Sequence, residues 1–177
     1  MNTILTNGPV SAQQLENAAH ILLSLQQELR TCIAQGSGPF LAAIYDEKGN
    51  LISKTANSVV AQNCSHCHAE MNAIKQAEEK LRTFDLAPHR LRLYVTSEPC
   101  LMCLGGILWS GIREVYFGVP SKRVEEITGF DEGFGTGWME EFKKRGILAC
   151  GNIEPQAGEE VLAAYVQAGK RIYKPSR

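Results

Sequence analysis

The sequence predicts an α/β fold, a three-layer α/β/α sandwich around a mixed sheet of about five strands. Two short apolar segments separated by a turn, 40–45 and 51–56, predict a β-hairpin. Helical and strand patterns then alternate from 69 to 118, and a long amphipathic helix precedes the hairpin. Because no linker divides these patterns, we predict a single domain over residues 1–177.

Apolar spacing and end signals define each predicted element. An apolar stripe from Leu15 to Leu29 predicts a helix over 12–35, which Ser11 can cap at its start. Pro99 favours a helix start beside it, because proline suits the first turn. The other predicted elements are strands at 40–45, 51–56, 91–96, 114–118 and 147–150, helices at 69–82, 100–110, 138–145 and 159–168, a loose arm at 1–10, a polar loop at 57–67, and a long glycine-rich loop with a short helix at 121–138.

Composition and net charge restrict the partners and the location. The chain is 44% hydrophobic and 21% charged, with a formal net charge of −1. A nucleic-acid binder usually carries a basic excess, so we expect a small neutral substrate and no nucleic acid. Residues 1–12 do not resemble a signal peptide, and no apolar run is long enough for a membrane span. We therefore expect a cytoplasmic protein whose six cysteines are thiols or metal ligands.

Two segments together predict a metal site. His68-Ala69-Glu70 is followed by Pro99-Cys100-Leu101-Met102-Cys103, which supplies one imidazole and two thiols. Structural zinc usually has four protein ligands, whereas catalytic zinc has three and leaves one position for water. Cys100 and Cys103 are three residues apart in the first turn of a predicted helix, so their sulfurs face the same way. The sequence therefore predicts one catalytic Zn²⁺ per chain, bound by His68, Cys100 and Cys103.

Glu70 is the predicted general acid and base. It lies two residues from the histidine ligand, where a carboxylate can take a proton from the attacking water and deliver it to a ring nitrogen of the substrate. The combined pattern, His-x-Glu with Pro-Cys-x-x-Cys, is the signature of zinc-dependent base deaminases. The sequence therefore favours an enzyme, a zinc-dependent hydrolase that removes an amine as ammonia.

On these motifs, the chain resembles the cytidine and deoxycytidylate deaminase superfamily over roughly residues 10–135. Gly38-Pro39-Phe40 at the entry to a strand and Asn57 eleven residues before the histidine also fit it. The resemblance implies that Asn57 hydrogen-bonds the polar edge of the substrate. It also implies that the backbone N–H of Ala69 bonds a substrate carbonyl, and that Ser97-Glu98 lies near the leaving amine.

Within that superfamily the chain is most similar to bacterial guanine deaminases, because Gly129-Phe130-Asp131-Glu132 follows the last clear strand. The resemblance implies that Glu132 is a second proton shuttle, which protonates the departing amine. It further implies a homodimer in which a C-terminal segment, residues 155–177, closes the site or is swapped between subunits. Tyr165 and Tyr173 are the candidates for closing the pocket, and Phe40 is a candidate for its wall.

Other functions remain open on the sequence alone. Ammeline, guanosine, cytosine and tRNA adenosine are alternative substrates of the same chemistry. The segment Cys64-Ser65-His66-Cys67-His68 formally matches a c-type haem attachment motif, although such attachment usually requires export. Cys64 and Cys67 together with Cys100 and Cys103 would instead form a closed four-thiolate zinc module without catalytic activity.

Overall fold

The computed structural model of the chain describes residues 3–130 and 137–173. Strands and helices alternate along these ranges. The strands are β1 (Leu5–Thr6), β2 (Leu41–Tyr45), β3 (Leu51–Ala56), β4 (Arg92–Ser97), β5 (Glu114–Val119) and β6 (Leu148–Gly151). The helices are α1 (Ala12–Ala34), α2 (Val59–Gln62), α3 (Ala69–Leu81), α4 (Leu101–Ser110), α5 (Ser121–Thr128), α6 (Trp138–Lys144) and α7 (Pro155–Gln167).

The strands form one sheet in the order β1-β6-β5-β4-β2-β3. β4, β5 and β6 are parallel at its centre, where helices provide the crossovers. β2 pairs antiparallel with both β3 and β4, and β1 pairs antiparallel with β6. The predicted hairpin and the predicted mixed sheet are therefore confirmed.

Helices cover both faces of the sheet. Alternate residues of β2 belong to different apolar clusters: Leu41 and Ala43 pack with α1, whereas Ala42 and Ile44 pack with α3 and α4. The C-terminal helix α7 contacts α1 and β5. This period of two is what a sheet with two buried faces requires, and it confirms the three-layer sandwich.

Three local predictions differ from the structure. The sheet has one strand more than expected, because the predicted loose arm contains β1, whose two residues are both exposed and show no apolar alternation. Part of the predicted polar loop forms the short helix α2. Helix α7 begins at Pro155 rather than at 159, with proline in its first turn. The short helix expected within residues 121–138 agrees with α5, which lies at the start of that segment.

Within the described residues, no helix is both long enough and apolar enough to cross a membrane.

Candidate active site and metal centre

The starts of two helices bring the predicted metal ligands together. His68 is the N-cap residue of α3, with φ −68° and ψ 157°. Cys100 is the N-cap residue of α4, with φ −67° and ψ 168°. Both residues therefore have extended backbone and project from the end of a helix rather than from its side. Cys103 lies in the first turn of α4 and is fully buried.

The distances between the three ligand atoms suit a zinc ion. Nδ1 of His68 lies 3.5 Å from Sγ of Cys100 and 3.7 Å from Sγ of Cys103. Zinc bonds of about 2.3 Å to sulfur and about 2.0 Å to nitrogen, at tetrahedral angles, give a sulfur–nitrogen separation of about 3.5 Å. These residues, which we call the helix-start cluster, can therefore hold the metal with little rearrangement.

The two thiols of the helix-start cluster ionise very differently without a cation. Hydrogen bonding from Cys103 and from His68 lowers the pKa of Cys100 to about 4. Hydrogen bonding to Cys100 and burial raise the pKa of Cys103. Burial alone would lower the pKa of His68, but its contact with Cys100 raises it overall. A divalent cation would remove the repulsion that prevents both sulfurs from being thiolates, which is the charge state that zinc requires.

Glu70 lies in the first turn of α3 with only 5% of its surface exposed. Burial, followed by the negative charge of Cys100, raises the pKa of its carboxyl to about 7. A carboxyl that titrates near neutral pH can both accept and release a proton during one reaction. The chemistry predicted for Glu70 is therefore compatible with its environment.

Hydrogen bonds fix the start of α3 against the end of β3. Thr55 Oγ1 donates to the carbonyl of Ala69, the first residue of the helix, at 2.8 Å. Asn72 Nδ2 lies within 3.2 Å of three acceptors, the carbonyls of Ala56 and Cys67 and the hydroxyl of Ser58. Asn72 was not among the residues that the sequence singled out, because an asparagine inside an amphipathic helix carries no distinctive spacing.

Asn57 is fully buried just after β3. Its backbone N–H donates to the carbonyl of Phe40, and its side-chain Oδ1 accepts from the N–H of Val59 at 3.2 Å. Its Nδ2 has no partner among the described residues. A Cβ atom at Gly38 would lie 2.7 Å from Oδ1 of Asn57, so glycine is needed beside this amide. The free donor is available to a ligand.

Aromatic rings line the region next to the helix-start cluster. The ring centroids of Phe40 and Phe130 are 5.4 Å apart, and those of Phe130 and Tyr173 are 4.8 Å apart. Tyr173 in turn approaches His68 with centroids 6.3 Å apart. Tyr165 Oη donates to the carbonyl of Arg171 at 2.7 Å, which holds the segment after α7 in place. Tyr165 thus supports the segment, whereas Tyr173 contacts the site.

Glu98 directly follows β4, and its side chain makes two hydrogen bonds within the described residues. Its carboxylate accepts hydrogen bonds from the backbone N–H of Ser121 at 2.9 Å and from Trp138 Nε1 at 2.8 Å. These contacts join the starts of α5 and α6, between which residues 131–136 lie. Ser97 before it is buried. Asp131 and Glu132 lie outside the described residues, so the role expected of Glu132 stays a prediction.

The backbone N–H of Ala69 is the other predicted substrate donor. Ala69 is the first residue of α3 and is fully buried. The first N–H groups of a helix have no acceptor within the helix itself. This N–H can therefore serve a substrate carbonyl or another anion-like group at the helix start.

The remaining cysteines of the two Cys-x-x-Cys pairs do not join the helix-start cluster. Cys64 and Cys67 form a separate group with His66, which we call the loop cluster. In each group the potential ligand atoms lie within 4.8 Å of one another. This division into two groups disfavours the closed four-thiolate module.

Comparison with a protein-family model indicates the same kind of metal site as the geometry does. Residues 12–119 match the cytidine and deoxycytidylate deaminase zinc-binding region. The chain belongs to this deaminase family. The match contains both helix starts together with His68, Glu70, Cys100 and Cys103, so the zinc-binding chemistry of the family agrees with the donor set of this chain.

Curated relatives of the deaminase differ in substrate. It is 36% identical to the guanine deaminase of Bacillus subtilis over 97 residues, which are 55% of this chain and 60% of that protein. It is 38% identical to the tRNA-specific adenosine deaminase of Aquifex aeolicus over 97 residues, 55% of this chain and 62% of that protein. The chain thus spans less than two thirds of the length of these relatives.

Solved structures give more extensive matches. The guanine deaminase from Nitrosomonas europaea superposes with a TM-score of 0.79 at 35% identity, covering 83% of each chain. The crystal structure of a protein designated NE0047, in complex with 2,6-diaminopurine, gives a TM-score of 0.82 at 34% identity, covering 89% of this chain and 85% of that chain. The overall fold, and not only the metal-binding motifs, is therefore similar to that of guanine deaminases.

Proposed function

We propose that this deaminase hydrolyses guanine to xanthine and ammonia, using zinc held by His68, Cys100 and Cys103. The observation that carries this proposal is the amide of Asn57. A buried Nδ2 without a protein partner is costly unless a ligand supplies an acceptor. Guanine carries acceptors along its ring edge, and a planar base matches the aromatic wall of Phe40, Phe130 and Tyr173.

The proposed reaction adds water to the carbon that bears the amine. Bound zinc would supply water activation, since it lowers the pKa of water from about 15.7 to about 7 in comparable sites. Glu70 removes a proton from the attacking water and delivers it to the adjacent ring nitrogen. Asn57 Nδ2 and the N–H of Ala69 orient the base during this step.

Collapse of the adduct then releases the amine. The carbon–nitrogen bond breaks with its electron pair on nitrogen, and a proton from Glu132 converts the departing group into ammonia. The water oxygen becomes the new carbonyl oxygen of xanthine, and its remaining proton replaces the one that Glu132 gave to the amine. Glu98 links the starts of α5 and α6 on either side of the segment that carries Glu132, so we assign it a positioning role for that segment.

Three observations favour a free base over a base within RNA. The Tyr173 ring packs on Phe130 and approaches His68, which narrows the region next to the metal ligands. The net charge of −1 offers little general attraction to a phosphate backbone. Among the solved structures, the guanine deaminase match has a TM-score of 0.79, whereas the match to a tRNA:A34 deaminase has a TM-score of 0.64. The homodimer, the exchange of residues 155–177 between subunits and the cytoplasmic location stay predictions.

An ammonia-release assay over a panel of substrates tests the proposal. The zinc-loaded protein is incubated separately with guanine, guanosine, ammeline, cytosine, adenine and a tRNA anticodon stem-loop. We expect the highest kcat/KM with guanine, together with stoichiometric xanthine. A Glu70→Gln preparation purified in the same way excludes a contaminating deaminase. Higher kcat/KM with the stem-loop, cytosine or ammeline would contradict guanine as the substrate while leaving the deaminase chemistry intact.

A further inference from the structure

A second set of metal-ligating side chains lies immediately before His68 in the chain. Sγ of Cys64 is 3.4 Å from Nδ1 and 3.3 Å from Nε2 of His66. Cys67 completes the loop cluster, whose potential ligand atoms all lie within 4.8 Å of one another. None of these three side chains has a role in the proposed deamination.

The backbone around the loop cluster is held by several hydrogen bonds. The N–H of Cys64 donates to the carbonyl of Val59, and the N–H of Cys67 donates to the carbonyl of Cys64, both at 3.1 Å. The carbonyl of Cys67 accepts from the N–H of Ser58 at 3.0 Å and from Asn72 Nδ2. The ligands are therefore gathered by the fold of the loop rather than by chance approach of free side chains, which lowers the entropy cost of binding an ion.

The chemistry of these three groups selects a thiophilic cation. Two sulfurs and one imidazole are a common partial ligand set for zinc. The potential ligand atoms lie within 4.8 Å of one another, so a rotation of the exposed His66 ring would direct one of its nitrogens toward an ion shared with the two sulfurs. Cys67 is buried, Cys64 is half-buried and His66 is exposed, so an ion can reach the site from solvent.

We propose that Cys64, His66 and Cys67 bind a second zinc ion, separate from the one in the helix-start cluster. Water or an external ligand completes the coordination, because the imidazole side is open to solvent. The ion would fix the loop that joins Asn57 to His68. The proposal does not depend on the identity of the deamination substrate.

Metal content of the full chain tests this inference. The protein is purified with reductant, saturated with Zn²⁺, dialysed against metal-free buffer and analysed for zinc and for free thiols. We expect about two zinc ions per chain in the wild type and about one in Cys64→Ser and in His66→Ala. Matched controls outside the cluster, Cys32→Ser and exposed His89→Ala, should keep both ions.

A rescue variant separates ligation from damage to the loop. His66→Cys replaces one zinc ligand with another and should retain about two ions per chain, whereas His66→Ala should not. Co²⁺ substitution provides a second readout, since the wild type should show more thiolate-to-cobalt absorption per chain than Cys64→Ser. One zinc ion per chain in the wild type would overturn the proposal. So would unchanged zinc content in Cys64→Ser, or a Cys64–Cys67 disulfide in the zinc-treated, reduced protein.

Discussion

The helix-start cluster and the loop cluster contain the same residue types, two cysteines and one histidine, in different scaffolds. His68 and Cys100 cap two helices that pack against the same sheet face, so their positions are set by the core. The loop cluster is confined to four consecutive residues and reaches the surface at His66. The comparison indicates that ligand type alone permits metal binding, whereas catalysis also depends on what surrounds the ligands.

Charged neighbours also distinguish the two clusters. The carboxylate of Glu70 interacts electrostatically with the Cys103 thiol, whereas the ammonium group of Lys75 interacts electrostatically with the Cys67 thiol. A buried carboxyl with a pKa of about 7 can exchange protons at neutral pH. The helix-start cluster therefore has a proton acceptor beside it.

The largest effect should follow from removing that acceptor. Glu70→Gln should lower kcat for guanine by about 10³-fold or more, because general acid–base catalysis contributes about 10²–10⁴-fold. Zinc content should not change, since Glu70 is not a proposed ligand. Steady-state kinetics and elemental analysis measure both quantities. Glu79→Gln, an exposed substitution on the same helix, is the matched control, and wild-type turnover by Glu70→Gln would reject the mechanism.

Asn57→Ala tests whether the residue at the start of the loop that carries the loop cluster contributes directly to substrate binding. We expect kcat/KM for guanine to fall by about 10²-fold, equivalent to roughly 3 kcal/mol, because a buried hydrogen-bonding group is lost. Zinc content should be unchanged. Asn17→Ala on the exposed side of α1 is the control, and a change in zinc content without a change in KM or kcat would indicate a structural role instead.

The pKa of Glu70 predicts how pH affects the metal-free protein. Its ordinary pKa of 4.5 is raised to about 7 in the folded chain, so the folded state binds this proton more tightly. The tighter binding of this proton contributes fully to the free energy of unfolding below pH 4.5, and the contribution is lost as pH rises toward and above 7. The shift corresponds to about 3 kcal/mol in the free energy of unfolding.

Urea unfolding with a chelator, at several pH values between 4.5 and 8, measures this effect. As pH rises over this range, the wild type should lose about 3 kcal/mol in unfolding free energy relative to Glu70→Gln, whose side chain does not ionise. Cys64→Ser, which alters only the loop cluster, should follow the wild-type pH dependence. Parallel curves for Glu70→Gln and the wild type would contradict the raised pKa.

Substitution of Tyr173 should have a smaller effect, which falls on the affinity for substrate. Tyr173→Ala removes the ring that contacts Phe130 and approaches His68, and we expect KM for guanine to rise by about tenfold. Tyr173→Phe keeps the ring and should change KM by less than about threefold. Equal losses in the two variants would assign the effect to the hydroxyl rather than to the aromatic wall.

The smallest effect on turnover is expected at the loop cluster. Cys64→Ser should change kcat/KM for guanine by no more than about twofold, as for substitutions away from a reacting centre. Cys100→Ser should abolish measurable turnover in the same assay, because it removes a proposed ligand of the catalytic zinc. A similar loss in both variants would mean that the two clusters act as one functional unit.

Much of the fold followed from local sequence pattern. β2 and the central parallel strands are continuous runs of buried residues, and the two helices behind the metal ligands bury residues at helical spacing. β1 could not be predicted in this way, because both of its residues are exposed and its pairing partner, β6, lies at the other end of the chain. Its existence depends on tertiary pairing rather than on its own composition.

The site was predictable where chemistry and spacing coincide in the sequence. His68, Glu70, Cys100 and Cys103 have residue types and separations that few other functions require. The contact between Tyr173 and Phe130 was not predictable, because the two rings meet only after α7 has packed and the following segment has turned back. The bonds of Glu98 to α5 and α6 likewise depend on distant partners.

Asn72 touches neither a substrate nor a proposed metal ion, yet its two amide hydrogens are shared among three oxygen acceptors. An aspartate of nearly the same shape would present only lone pairs to the two carbonyl oxygens, where repulsion would replace attraction, and could bond only to the Ser58 hydroxyl acting as donor. Such a change would separate the loop from the helix that follows it and disturb both cysteine–histidine groups together. Deamidation of Asn72, a chemically small change at a single residue, would thus be enough to inactivate the molecule.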